Sequence, residues 1–218
     1  MMLFSVVIPT MWRSNMILTM LPVYEICDFV KEVIFIDNNP AGKPDLSLYK
    51  KVRLYSKGSN IFVNPAWNLG ASLANYKLIL ANDDILIPDL YGVLDLINKS
   101  DFDIVGMGYT KNKKNMSIMD ISDRPFPAMS YGSFMFIRNY IPIPDKLKIW
   151  GGDDILYLYN KKRGLLINSK ISQKKSTTID SNKKFFRGVI GVNDRSLFKT
   201  MKETGELDEY IGMYSKLR

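Results

Sequence analysis

Residues 76–88 read YKLILANDDILIP. Four apolar residues, Leu78 to Ala81, run straight into Asn82, Asp83 and Asp84, and a second apolar run then ends at Pro88. Consecutive apolar residues predict a strand buried on both faces, as in a parallel sheet. Two adjacent carboxylates at the end of such a strand either turn the chain at the surface or hold something. Asn and Asp favour turns and N-caps. Oxygen donors in a cluster also suit a hard divalent cation. The remainder of the chain has to separate these readings.

Working outward, three more runs share the apolar pattern: Leu3–Pro9 (LFSVVIP), Glu32–Asp37 (EVIFID) and Phe102–Gly108 (FDIVGMG). Helical patterns lie between them. Ser14–Phe29 has Ser14 as its N-cap and Pro22 as a kink or break. Pro65–Asn75 places Ala66, Leu69, Leu73 and Ala74 on one side. Pro88–Asn98 starts on a favourable proline. Strands alternating with helices predict an α/β fold, a mostly parallel central sheet flanked by helices. Farther on, Ser130–Asn139 reads as a strand. A helix opens at Asp153 or Asp154 with Gly164 as its C-terminal cap, and Asn193–Met201 and Leu207–Leu217 are weaker helices. No linker interrupts the chain, so residues 1–218 are expected to form a single domain.

Composition narrows the chemistry. Among 218 residues, 46% are hydrophobic and 24% charged, which predicts a globular core. No run approaches the ~18 apolar residues that span a bilayer. The opening MMLFSVVIPTMWRS lacks a basic n-region and a cleavage site, so it reads as a strand, not a signal peptide. The single cysteine, Cys27, points to a reducing, cytoplasmic setting. Histidine is absent, which removes Ser-His-Asp and Cys-His nucleophile chemistry and His-ligated zinc. Acid–base work falls to carboxylates, lysines or tyrosines. A metal would need oxygen ligands, favouring Mg²⁺, Mn²⁺ or Ca²⁺.

The net charge of +8 is concentrated. Nine basic residues lie from Lys161 to Arg187 (Lys161, Lys162, Arg163, Lys170, Lys174, Lys175, Lys183, Lys184, Arg187) against one acid, Asp180. That local excess equals the excess of the whole chain. It is either a solvated face or the footprint of an anionic partner such as nucleotide phosphate, nucleic acid or an acidic membrane.

Three strands end in polar residues: Pro9-Thr10, Asp37-Asn38-Asn39 and Asn82-Asp83-Asp84. Ligands of open α/β sheets bind at the carboxyl ends of strands, so these ends are expected to converge. Neither G-x-G-x-x-G nor G-x-x-x-x-G-K-[ST] is present, so phosphate must be held without a glycine cradle. A divalent cation on Asp83 and Asp84 would do this by neutralising a departing diphosphate. A second acidic pair follows in IWGGDDILYLYNKKRG, where Asp153 and Asp154 open a helix behind Trp150, Gly151 and Gly152.

With these segments in order, the chain resembles the GT-A-fold, nucleotide-sugar-dependent glycosyltransferases of the broad family-2 type. The resemblance covers Phe4 to Gly164, with a weaker echo to Phe198. FSVVIPT is similar to that family's opening strand, and VIFIDNNP to the strand whose Asp reads the nucleobase. NPAWNLGASLANYKLILANDDILIP is similar to its N-x-G helix and DXD strand. GSFMFIRNY and WGGDDILYLYNKKRG are similar to its acceptor-side strand and base segment.

The resemblance implies that Pro9, Thr10 and Asp37 lie at the nucleoside and that Asn68 lines the donor pocket. It implies Asp83 at the ribose or metal, and Asp84 on Mn²⁺ or Mg²⁺. Asp154 would be the general base, Asp153 a contact to acceptor or donor sugar, and Trp150 a wall of the sugar pocket. Residues 1–108 would then form the nucleotide-sugar and metal half, and 109–218 the acceptor half. A UDP-sugar is the expected donor. A base opposite the leaving group gives direct displacement, hence inversion.

Two departures stand out. Many relatives carry a histidine downstream that completes the metal site. Here ISQKKSTTID occupies that region, leaving Ser172, Gln173, Asp180 or water to substitute. The base segment carries Asp153 where Glu is usual. The basic segment (Lys161, Lys162, Arg163, Lys174, Lys175, Lys183, Lys184, Arg187) is expected near the acceptor, interleaved with Tyr157, Tyr159, Phe185 and Phe186. A glycan acceptor is the commoner family use. A hydroxymethylated base in DNA best uses the positive charge. A Lys-, Asn- and Ile-rich chain also suits an AT-rich genome such as a virus. Two alternatives from other classes are a sugar-nucleotide nucleotidyltransferase and a non-catalytic binding module. The first usually needs a Gly-rich basic loop that PTMWRSN lacks, and the second leaves two acidic pairs unexplained.

Overall fold

A computed structural model describes residues 1–108, 115–124, 132–173 and 182–216. Lys174, Lys175 and Asp180 lie outside the described residues. An eight-stranded sheet has the order β3-β2-β1-β4-β8-β6-β9-β7. Its strands are β1 (Phe4–Thr10), β2 (Val30–Asp37), β3 (Val52–Ser56), β4 (Lys77–Ala81), β6 (Ile104–Met107), β7 (Ser117–Asp120), β8 (Phe134–Ile137) and β9 (Arg163–Ile167). β8 runs antiparallel to β4 and β6, and β7 antiparallel to β9; the other pairings are parallel. A two-stranded ribbon pairs β5 (Ile85–Leu86) with β10 (Ser172–Gln173).

The apolar runs form strands because both faces of the sheet are covered. Along β1, Phe4, Val6 and Ile8 enter one core with α1 (Met16–Ile26) and α3 (Leu90–Asn98), while Val7 enters the other. That second core contains residues of α2 (Val63–Leu73), α4 (Gly152–Tyr159), α5 (Gly191–Glu203) and α6 (Glu206–Ser215). A π-helical segment, Lys184–Ile190, leads directly into α5.

Several boundaries differ from expectation for local reasons. Asn15, not Ser14, sits at the N-cap of α1, although the Ser14 hydroxyl accepts from the Met16 N–H at 3.3 Å. Pro22 lies inside α1 without ending it. Asp89 caps α3, its carboxylate accepting from the Gly92 N–H at 2.8 Å. Gly164 is not a helix cap: α4 ends before Asn160, whose amide bonds the Leu156 carbonyl, and Gly164 lies within β9. β3, β7 and β9 were not anticipated. β3 and β7 are half-exposed, so no apolar run marks them, and β9, buried at Gly164–Leu166, follows directly on the segment that reads as a helix capped at Gly164. No helix among the described residues is long and apolar enough to cross a membrane.

Candidate active site

β1 and β4 are adjacent and parallel, so their carboxyl ends open on the same edge of the sheet. β8 returns antiparallel, with Phe134 opposite Ala81, so the loop before it reaches that edge too. A cavity of about 270 Å³ lies there. Pro9, Thr10, Asp83, Asp84, Trp150 and Asp153 all line it. Asp83 and Asp84 thus face one space with Asp153, a residue of the second acidic pair some 70 positions further along the chain.

The Thr10 hydroxyl donates to Asp83 Oδ2 at 2.7 Å and accepts from the Trp12 N–H at 2.9 Å. The Met11 N–H also reaches Asp83. Burial raises the Asp83 pKa, and these donors oppose the rise. Trp12 has a φ of +58°, a strained conformation for a side-chain-bearing residue. It is held there by its indole N–H on Asp37 Oδ1 (2.9 Å) and by its ring against Phe35.

Asp84 is 4% exposed. Gln173 Nε2 donates to its Oδ1 at 3.2 Å, and the Ser133 hydroxyl donates to Gln173 Oε1 at 2.5 Å. The β5–β10 pairing puts Gln173 opposite Ile85, the residue after Asp84. Of the side chains expected to replace the missing histidine, Asp180 lies outside the described residues, and of Ser172 and Gln173 it is Gln173 that lines the cavity.

On the opposite side, α4 begins at Gly152 with Asp153 and Asp154 in its first turn. Burial raises the Asp153 pKa, opposed by its own N–H and those of Asp154 and Gly132. Asp154 is pushed up to about 7, by burial first and then by the charge of Asp153, with Lys202 pulling the other way. Asp153 faces the cavity, whereas Asp154 lies next along the helix and outside its wall.

Two expected donor contacts are set back. Asp37 is 2% exposed, and its Oδ1 accepts from both the Trp12 indole and the Asn39 N–H. Its neighbour Asn38 lines the cavity instead. Asn68 also lies outside the wall. Its amide brackets Ile143 through both backbone groups at 2.7 Å and accepts from the Tyr140 hydroxyl, fixing residues 140–143 onto α2.

The basic segment is divided. Arg163 pairs in register with Ile104 at the start of β6, at the end of the sheet remote from the cavity. There Arg163 stacks 4.5 Å over the Tyr157 ring, Lys162 pairs with Asp101, and Lys161 is exposed. Lys183, Lys184 and Arg187 are exposed instead around Phe186, which lines the cavity. Sequence proximity misled because β9 carries the chain away from the base segment. Asn60 and Phe62 are lining residues that no motif announced; Trp67 and Ser133 lie in family-like segments but carry no expected role, and Phe186 is expected on the acceptor side. Phe62 has φ +67° and ψ −179° before the first residue of α2, a strained geometry at the cavity edge.

A cation fits this donor set. Among the described residues no group of three or more His, Cys, Asp or Glu forms a metal cage. A hard ion bound by one or two carboxylates, with water and substrate phosphates completing its shell, needs no such cage. Asp84 and Asp83 would supply those oxygens, with the Gln173 amide N–H holding Asp84 in place.

Solved structures share this architecture. TarS residues 1–349 from S. aureus match over 77% of this chain and 58% of that chain at 17% identity, with a TM-score of 0.53. The same TarS fragment in complex with UDP matches with a TM-score of 0.57. GalNAc-T7 with UDP, GalNAc and Mn²⁺ matches over 79% of this chain and 44% of that one, at 13% identity and a TM-score of 0.51. The chain has the GT-A fold. It spans less than two thirds of the length of these GT-A structures. No protein-family model matches the chain, and no curated protein matches its sequence.

Proposed function

We propose that the protein is a metal-dependent, inverting glycosyltransferase that moves a sugar from a UDP-sugar to an acceptor hydroxyl. The observation that carries this reading is the shared cavity, with Thr10, Asp83 and Asp84 on one wall and Trp150 and Asp153 on the other. UDP in one GT-A neighbour, and UDP with Mn²⁺ in the other, support the donor and the ion.

Asp84, aided by Asp83 and Gln173, would hold Mn²⁺ or Mg²⁺. That ion supplies charge neutralisation for the departing diphosphate. Asp154, with a pKa near the working pH, takes the proton of the attacking hydroxyl. Asp153 and Trp150 orient the sugar, and the aromatic rings of Phe62 and Phe186 exclude water. The buried, unpaired Cys27 supports a reducing, cytoplasmic setting.

A glycan is the first acceptor reading. A hydroxymethylated DNA base is the second, favoured by exposed Lys183, Lys184 and Arg187 beside the cavity-lining Phe186. A thermal-shift screen of nucleotide sugars with Mn²⁺ tests the donor: UDP-sugars should raise Tm only with the cation. Failure of every nucleotide sugar to do so would leave the binding-module reading. Duplex DNA binding at low and moderate salt tests the second acceptor, and a flat salt response removes it.

A further inference from the structure

The backbone that delivers the second acidic pair is gripped at nearly every peptide. Asp194, on α5, is 2% exposed. Its carboxylate accepts from three consecutive N–H groups: Lys148 (3.2 Å to each oxygen), Ile149 (2.7 Å) and Trp150 (3.0 Å). Asn64, on α2, takes the carbonyls of the same stretch. Its Nδ2 donates to Leu147 O (3.3 Å) and Trp150 O (3.4 Å), and its backbone N–H donates to Lys148 O (3.0 Å).

Directly after this stretch come Gly151, at φ +82°, and Gly152, where a Cβ would lie 2.3 Å from Asn64 Oδ1. α5 closes on the turn at two more points. A Cβ on Gly151 would meet the Phe198 ring at 2.9 Å, and one on Gly191 would meet the Trp150 ring at 3.0 Å. Arg195 lies 5.7 Å from the Trp150 ring centroid.

A buried carboxylate ringed by N–H groups makes strong, directional bonds. Turning the chain alone does not require three consecutive N–H groups and three carbonyls of residues 147–150 to be held by two side chains and a backbone N–H. Here the held residues end one peptide before α4, whose first turn carries Asp153 and Asp154. Any slack at Lys148–Trp150 would pass through the Gly151–Gly152 hinge to those carboxyls.

We propose that Asp194 and Asn64 form a two-sided backbone clamp that positions the Asp153–Asp154 turn, making α5 a working part of the catalytic half. Asp194 is a positioning residue: it does not itself line the cavity and acts through the peptides of residues 148–150, of which Ile149 and Trp150 do. The proposal rests on the reading of Asp154 as the base.

Amide hydrogen exchange and kinetics on the full chain test it together. In the wild type, the N–H groups of Lys148, Ile149 and Trp150 should exchange as slowly as those of β1 and β4. Asp194→Asn should lose that protection locally while β1 and β4 keep theirs. Transfer kcat should fall about a hundredfold, the cost of a misplaced reacting group, with UDP affinity close to wild type. Fast exchange at these amides in the wild type would overturn the clamp, and that readout needs no variant to fold. Retained protection in Asp194→Asn, or unchanged kcat after protection is lost, would overturn it as well. A wild-type protein that neither binds UDP nor transfers sugar counts against the proposed function. Exchange alone then decides the clamp.

Discussion

Asp83–Asp84 and Asp153–Asp154 are the same dipeptide in two surroundings. The first pair ends a buried parallel strand and is met by donors: the Thr10 hydroxyl and Met11 N–H on Asp83, the Gln173 amide on Asp84. The second pair opens a helix. Asp153 takes the neighbouring N–H groups, while Asp154 is left against burial and against the charge beside it. Donors from separate elements fix the carboxylates of the first pair in place, a surrounding suited to holding a cation. A carboxyl pushed up to about 7 exchanges its proton near neutrality, which suits a base. Under the proposed mechanism identical residues would serve opposite tasks, and the difference lies in what other elements bring to them.

The sharpest way to break this contrast is Asp154→Asn. Under the proposed mechanism, transfer should fall by about 10²–10⁴, while Mn²⁺-dependent UDP binding survives. Equal loss of binding would show that the two pairs act as one. Asp84→Asn should do the reverse, weakening Mn²⁺ affinity by more than about a hundredfold, beyond what supporting residues usually cost. Mn²⁺ titration followed by electron paramagnetic resonance checks this without any turnover. Gln173→Ala should cost about tenfold in the same titration; an unchanged affinity would reduce Gln173 to a strut between Ser133 and Asp84.

The smallest effect is on stability against pH. Because the folded pKa of Asp154 is raised, its protonated form favours the fold. That contribution is complete below the unfolded value of about 4 and is lost as pH rises through about 7. Tm should therefore decline across that window, while transfer rises over its upper part as the base ionises. Asp153 and Lys202 are the charged groups acting on Asp154. Asp154→Asn should flatten the decline in Tm. A slope that persists in this variant would place the proton on another group.

Much of this contrast was legible in the chain. Unbroken apolar runs mark strands covered on both faces, so β1, β2, β4 and β6 and the α/β class could be read directly. Thr10, Asp83, Asp84 and Asp153 stood out because polar residues ended strands and opened a helix, Trp150 was pointed to by the family resemblance, and all five line the cavity. Asp37 and Asn68 sat in equally suggestive motifs but spend their side chains elsewhere, Asp37 on Trp12 and the Asn39 N–H and Asn68 on the Ile143 backbone 75 residues away. A hydrogen-bond partner that arrives from elsewhere leaves no mark on the motif. The half-exposed strands were missed for a related reason: β3 and β7 pair at the flanks of the sheet, where apolar patterning is weak.

By itself the sequence determined the layered α/β architecture, the oxygen-donor chemistry imposed by the lack of histidine, and the two acidic pairs. These follow from residue type and from periodicity along a single strand or helix. Tertiary structure decided which pair is held and which is tuned. It also decided that Lys161–Arg163 stand at the far end of the sheet from Lys183, Lys184 and Arg187, and that Asp194 reaches back 44 residues to the Trp150 peptide. Burial, through-space charge and hydrogen bonds between distant segments are properties of the packed chain, and they set the chemistry of side chains that look alike in sequence.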